Sequence, residues 1–197
     1  MTSPTANPRR AATRQKLYEA AVTLIAEQGF SATTVDEIAE RAGVAKGTVY
    51  YNFASKAELF EALLLHGAEL LTTALRDAAA GLPPLDALDA MVGAGLEFIR
   101  DYPSFAQLLV AETWRTNRAW HEALRRVREQ VVSTVADVLT AAAEQGRLPA
   151  DTDIPLTASA VIGMVLVVAL DWLVFQPDRP LDDIHASLTR LLHSRLN

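Results

Sequence analysis

Residues 46–56, KGTVYYNFASK, bring together side chains able to form several kinds of polar contact. Lys46 and Lys56 carry cations, Thr48 a hydroxyl, Tyr50 and Tyr51 rings with phenolic hydroxyls, and Asn52 an amide. These groups suit contact with phosphate oxygens and base edges rather than bond-making chemistry. Gly47 lowers helix propensity by about 1 kcal/mol relative to Ala, a loss that close approach of the backbone to DNA would offset. Val49 and Phe53 are the apolar anchors expected to hold the segment from behind.

No competing catalytic set is visible. The four histidines, His66, His121, His185 and His193, are scattered without a metal-binding spacing, and there is no cysteine to act as nucleophile or ligand. No phosphate-cradling glycine loop or nucleophile elbow occurs. The expectation is therefore a protein that is not an enzyme and needs no metal or cofactor.

The polar segment has to be positioned by its neighbours, and these read as helices. Leu17, Ala20, Ala21, Leu24 and Ile25 form an apolar stripe that Gly29 stops. Thr34 and Glu37 have capping-box spacing at the start of a short helix over about 34–42, and Gly43 separates it from a second over 45–52. Two short helices with a glycine turn, backed by a longer one, form a helix-turn-helix candidate whose second helix would enter the major groove, about 12 Å wide. The same geometry also serves helical protein-interaction adaptors that bind no DNA. Ser55 and Glu58 are a second capping-box pair, opening a helix to about Ala80.

Further helices are expected at about 85–101, 104–113, 119–145, 154–175 and 181–196, with a break near Thr116-Asn117 and Asp153 as the cap of the eighth. No segment alternates with the period of a strand. The fold class is all-α, with about nine helices: an N-terminal arm and helix-turn-helix head over 1–56 and a helical body over 57–197.

Charge divides in the same way. The 197-residue chain has a formal net charge of −6, yet residues 1–56 contain seven Lys/Arg against five Asp/Glu. A mildly basic head on an acidic body is compatible with duplex binding through one face. Arg9, Arg10 and Arg14 precede or open the first helix, as a phosphate-touching arm or a solubilising tail. The N-terminal stretch has no apolar run resembling a signal peptide, and cysteine-free composition suits a reducing, cytoplasmic setting. The apolar run AVIGMVLVVAL, residues 160–170, is shorter than the roughly 20 residues that span a bilayer. A helix buried on most sides within protein, with no membrane partner, is expected there.

The string AAVTLIAEQGFSATTVDEIAERAGVAKGTVYYNFASKAELF, residues 20–60, resembles the DNA-binding domain of the tetracycline-repressor-like (TetR) family of bacterial transcriptional regulators. The resemblance runs from about Gln15 to Phe60, and LLVAETWRTNRAWHEALR at 108–125 weakly resembles part of the body of some members. It implies base-facing roles for Thr48 and Tyr50, phosphate-facing roles for Tyr51, Asn52 and Lys56, and a place for Thr34 at the start of the supporting helix. Two positions depart from the family pattern. Asn52 stands where His or Tyr is usual, and Ala45 where Ser or another capping residue is frequent. The resemblance also implies a repressor that binds a palindromic operator of double-stranded DNA.

One such helix reads few base pairs, so a homodimer is expected, formed through the apolar helices at about 154–175 and 181–196. The body should enclose a pocket for a small, largely apolar effector. Candidate lining residues are Leu63, His66, Met91, Phe98, Phe105, Leu109, Trp114, Met164, Leu166, Asp171 and Trp172, with Arg115 and Arg118 as anion-holding candidates. Each apolar candidate also fits plain core, and Asp171, interrupting an apolar run, would need a partner if buried.

Overall fold

The computed structural model describes residues 8–113 and 121–196, and within them nine α-helices and no strand. Trp114, Arg115, Arg118 and the expected break at 116–117 lie outside the described residues.

The head begins with α1 (Pro8–Gln28), which is longer than its apolar stripe because it takes in Arg9, Arg10 and Arg14. Helix α2 (Val35–Arg41) starts at the expected capping box: Thr34 Oγ1 accepts the Glu37 N–H at 3.2 Å, and Glu37 Oε2 accepts the Thr34 N–H at 2.7 Å. Gly43 then turns the chain with φ of 66°, a left-handed conformation that side chains disfavour. Its N–H donates to Glu40 O and that of Val44 to Ala39 O, closing the C-terminus of α2. Helix α3 (Lys46–Asn52) follows at once, and Ala45 at its N-cap provides no side-chain bond.

Helix α4 (Lys56–Ala79) links head to body. Ser55 accepts the Glu58 N–H, but Glu58 reaches back to the Ala54 N–H rather than to that of Ser55, so the return arm of the box lies one residue early. The body comprises α5 (Pro84–Asp101), α6 (Pro103–Thr113), α7 (His121–Glu144), α8 (Ile154–Phe175) and α9 (Leu181–Leu196). Helices α4, α5, α7 and α8 form a bundle, α9 lies against α5 and α8, and α6 reaches from the bundle to α1. Asp153 caps α8 as expected, accepting the Leu156 N–H at 3.0 Å.

Two apolar clusters organise these helices. The first joins Leu17, Ile38, Val49 and Phe53 to Leu59, Phe60 and Leu64 of α4, and continues to Phe98, Phe105 and Val127. Head packing therefore extends beyond residue 56 into α4 and the near end of the body. The second gathers Leu88, Leu96, Leu139, Val165, Trp172 and Leu188.

Burial of α8 differs from expectation. At 22 residues it is long and apolar enough to cross a bilayer by length and composition, and only 28% of its most apolar window is buried. Ala158, Val161, Val165, Ala169 and Trp172 face inward, whereas Leu156, Val167, Val174 and Phe175 are exposed. The bundle covers only one side of this helix, so apolar composition alone overstated its burial within one chain.

Candidate nucleic-acid interface and ligand cavity

Helix α3 has two opposed faces. Val49 and Phe53, each 2% exposed, lock it against the head core. Tyr50 at 50% and Tyr51 at 76% project outward, with Lys46 and Gly47 exposed and Thr48 half-buried. A Cβ added at Gly47 would meet nothing within 4 Å. Packing within the chain does not demand this glycine, and the surface above it is open to an approaching molecule.

Charge on this face is partly held in reserve. Lys46 Nζ lies 2.8 Å from Asp36 Oδ2 in an exposed ion pair, which raises the lysine pKa chiefly through that hydrogen bond. Solvent screening makes such a pair weak, leaving the ammonium able to exchange Asp36 for a phosphate. Arg10 on α1 stands 5.7 Å from the centroid of the Tyr51 ring, so the basic start of α1 lies beside the exposed end of α3. Arg14 is more committed: its guanidinium covers Phe53 at 4.4 Å and donates to the Tyr18 hydroxyl at 2.8 Å. Thr34 is exposed at the start of α2, with its hydroxyl engaged by Glu37.

Two expected phosphate contacts are corrected. Asn52 is only 6% exposed; its Nδ2 donates to Thr48 O at 2.9 Å, while its Oδ1 is buried without a partner among the described residues. The amide thus braces α3 internally, because position 52 follows Val49 and Phe53 round the inward side. Lys56 Nζ donates to Phe30 O at 2.8 Å and Thr33 O at 2.7 Å, and sits 4.2 Å from the Phe30 ring centroid. Its cation closes the α1–α2 connection by binding two of that segment's carbonyls.

The body contains a cavity of about 370 Å³ between α4, α5, α6, α7 and α8. Of the candidate effector-binding residues, Met91, Phe98, Phe105, Leu109 and Leu166 line it. Other candidates lie elsewhere. Leu63 is buried in the head cluster. His66 bonds Gln15 Oε1 at 3.0 Å and stacks on Tyr18 at 4.9 Å, joining α4 to α1. Met164 packs, half-buried, beside the body core but off the cavity. Trp172 Nε1 donates to Arg179 O at 2.8 Å, tying the α8–α9 turn. Asp171 is exposed and accepts from Gln176 Nε2 at 3.2 Å, so it needs no buried partner. These five helical positions face other neighbours than the cavity.

Sequence reading missed the α7 wall, formed by Leu124, Val127, Val131 and Val135 with Arg125 and Arg128 at its edge. The signal was present as valines four residues apart, which place three branched side chains on one helix face. Gly67 was also missed. A Cβ there would fall 2.2 Å from Phe105 Cε2 and Cζ, so α4 and the Phe105 ring approach through the space that a side chain would fill. Phe105 in turn meets Phe98 edge-on, with centroids 6.0 Å apart.

Comparison with known proteins places both halves of the chain. The family profile described as "Bacterial regulatory proteins, tetR family" matches residues 17–63, and "Tetracyclin repressor-like, C-terminal domain" matches residues 81–180. The probable HTH-type transcriptional regulator ArpR of Pseudomonas putida is 32% identical over 181 residues, covering 84% of this chain and 82% of that protein. An uncharacterized HTH-type transcriptional regulator of Bacillus subtilis, YerO, is 35% identical over 106 residues, and the match spans only 35% of its length. Among solved structures, a putative fatty acid metabolism regulator of Clostridium perfringens superposes with a TM-score of 0.83 at 26% identity, covering 91% of this chain and 97% of that one.

Proposed function

The chain belongs to the tetR family of bacterial regulatory proteins, which are DNA-binding transcriptional regulators, and on that premise we propose a ligand-responsive repressor that grips a palindromic operator as a homodimer. The outward set of Lys46, Thr48, Tyr50 and Tyr51 on an α3 anchored by Val49 and Phe53 carries this reading. Such a helix can enter a major groove without disturbing the core behind it. Gly47 lets its backbone approach closely, and Arg10 extends the contact toward phosphate.

Dimerisation is supported by the uncovered side of α8. Leu156, Val167, Val174 and Phe175, with Leu191 of α9, form an apolar surface suited to a second copy of the chain. Two copies joined there would present two α3 helices to successive grooves.

Response to an effector is supported by the wall shared between cavity and head cluster. Phe98 and Phe105 line the cavity and belong to the apolar cluster that contains Val49 and Phe53. Phe105 also fills the notch at Gly67 of α4, so an apolar molecule pressing on it displaces the helix that starts beside the head. A change of about 1.4 kcal/mol in operator affinity corresponds to a tenfold change in binding.

Unbiased selection of duplexes by the purified protein tests the reading, with sedimentation of the bound species. Recovery of a two-fold sequence bound by two chains is expected. Failure to enrich any duplex, with binding independent of salt, would instead support a helical adaptor without DNA binding.

A further inference from the structure

The cavity wall has an unusual distribution of polarity. Its interior is hydrocarbon: Leu75, Met91, Phe98, Ile99 and Val131 represent a lining in which, among the described residues, no side chain other than two arginines can form a strong hydrogen bond. Those two, Arg125 and Arg128, lie one helical turn apart at the exposed edge of α7. A ligand with polar groups along its length would leave them unpaired on entry, at a cost that apolar contacts do not repair. One with a plain chain and one polar end would not.

The two arginines differ in what they already hold. Arg125 donates bidentately to Glu122, at 2.6 and 2.9 Å, and also to Glu129, so two carboxylates surround it and hold its proton more firmly. Arg128 has no carboxylate partner among the described residues; its Nη2 donates to the uncharged Ser159 Oγ of α8 at 3.0 Å. That bond aims the planar guanidinium across the α7–α8 edge of the cavity and leaves its other N–H donors available. Among the described residues, the mouth therefore presents one cation without a carboxylate partner, Arg128, above an apolar chamber.

We propose that the cavity takes an anionic amphiphile, a hydrocarbon chain ending in a carboxylate or phosphate, and that Arg128 reads the anionic end. This rests on the effector reading above and adds to it the class of head group and the residue that selects it. The chain fills the space bounded by Phe98, Phe105 and the α7 valines, while the head stays at the exposed mouth, where a fork of N–H donors matches two oxygens. The volume of about 370 Å³ lies at the small end of the roughly 300–1,000 Å³ typical of ligand sites. This suits one chain rather than a fused-ring system with several substituents.

Binding calorimetry on the full-length protein can test the head group with four dodecyl compounds kept below their micelle concentrations: dodecanoate, dodecyl phosphate, dodecanol and dodecylamine. The two anions are expected to bind about tenfold tighter than the alcohol, with the amine weakest. Their relative affinities distinguish a carboxylate from a phosphate source. Arg128→Gln should bring anion and alcohol to within about twofold, and Arg128→Glu should favour the amine. Arg126→Gln is the control, because that exposed arginine pairs with Glu122 and Glu61 and lies off the cavity wall. It should leave the anion preference intact. Equal binding of all four compounds overturns the head-group assignment while leaving an apolar effector cavity in place. An anion preference unchanged in Arg128→Gln overturns the role of Arg128. Absence of binding by every compound removes the amphiphile and the effector cavity together, without touching the DNA-binding surface.

Discussion

Around Phe53 the apolar side chains close on one another: Leu17, Ile38, Val49, Leu59 and Phe60 are all 2% exposed or less. Around Phe98 similar residue types stop short of closure and leave a cavity. The head is small and must hold α3 at one angle, so its packing is tight and its connections short. The body is a bundle of long helices whose faces can diverge without breaking a backbone hydrogen bond. One chain thus combines a closely packed head with a body that holds a chamber, and Phe98 and Phe105 belong both to the apolar cluster of the head and to the cavity wall.

The most severe way to break that contrast is Phe53→Ala. Emptying a sealed site at the end of α3 should destabilise the protein by about 3–5 kcal/mol, whereas Val131→Ala on the cavity wall, beside existing empty space, should cost about 1–2 kcal/mol. Chemical denaturation followed by helical signal measures both. Equal losses would mean that the two cores are packed alike.

Lys56→Met comes next. It removes two charge-assisted bonds to Phe30 O and Thr33 O and should cost about 1.5–3 kcal/mol of stability. The salt dependence of duplex binding distinguishes this role from a phosphate contact. Lys46→Met should lower the slope by about one counterion, while Lys56→Met leaves it unchanged. A reduced slope for Lys56→Met would restore the phosphate-facing role that resemblance implied.

Ala45→Ser should have a smaller and opposite effect. The N-cap of α3 has extended geometry, with φ −70° and ψ 145°, but no side-chain acceptor. A serine hydroxyl there should raise head stability by about 1 kcal/mol, read as a rise in the denaturation midpoint. An unchanged midpoint would show that the cap gains nothing in this setting.

The finest adjustment is by acid. The hydroxyl and backbone N–H of Thr34 hold the Glu37 carboxylate below its ordinary value of 4.5. Because the folded value is depressed, its contribution is fully present above about pH 4.5 and is lost as pH falls through the lower folded value. Glu37→Gln keeps a neutral acceptor at the α2 cap. Below pH 4.5 it should therefore lose less head stability than the unsubstituted chain, as followed by denaturation at stepped pH. Parallel acid limbs would remove Glu37 from the account.

Much of the head was legible because its signals act over a few residues. The Thr34–Glu37 box, the turn at Gly43 and the missing cap at Ala45 all appear where local chemistry expects them. Helix boundaries in the body were equally accessible, as Asp153 before α8 illustrates. Side-chain destinations were not. Periodicity gives Leu63 and Phe98 the same description, yet one faces the head core and the other the cavity. Lys56 looked like a surface cation because its two carbonyl partners lie 23 and 26 residues earlier in the chain.

By itself, then, the sequence determined the helices, their ends and the polar character of α3, since caps, glycine turns and a 3.6-residue period act within the reach of a single turn. Tertiary structure alone decided that Asn52 turns inward, that Phe105 fills the notch of Gly67 and that Arg128 stands at the cavity edge bonded to Ser159. A helical period specifies which residues share a face, whereas the groups that this face meets depend on how distant helices cross.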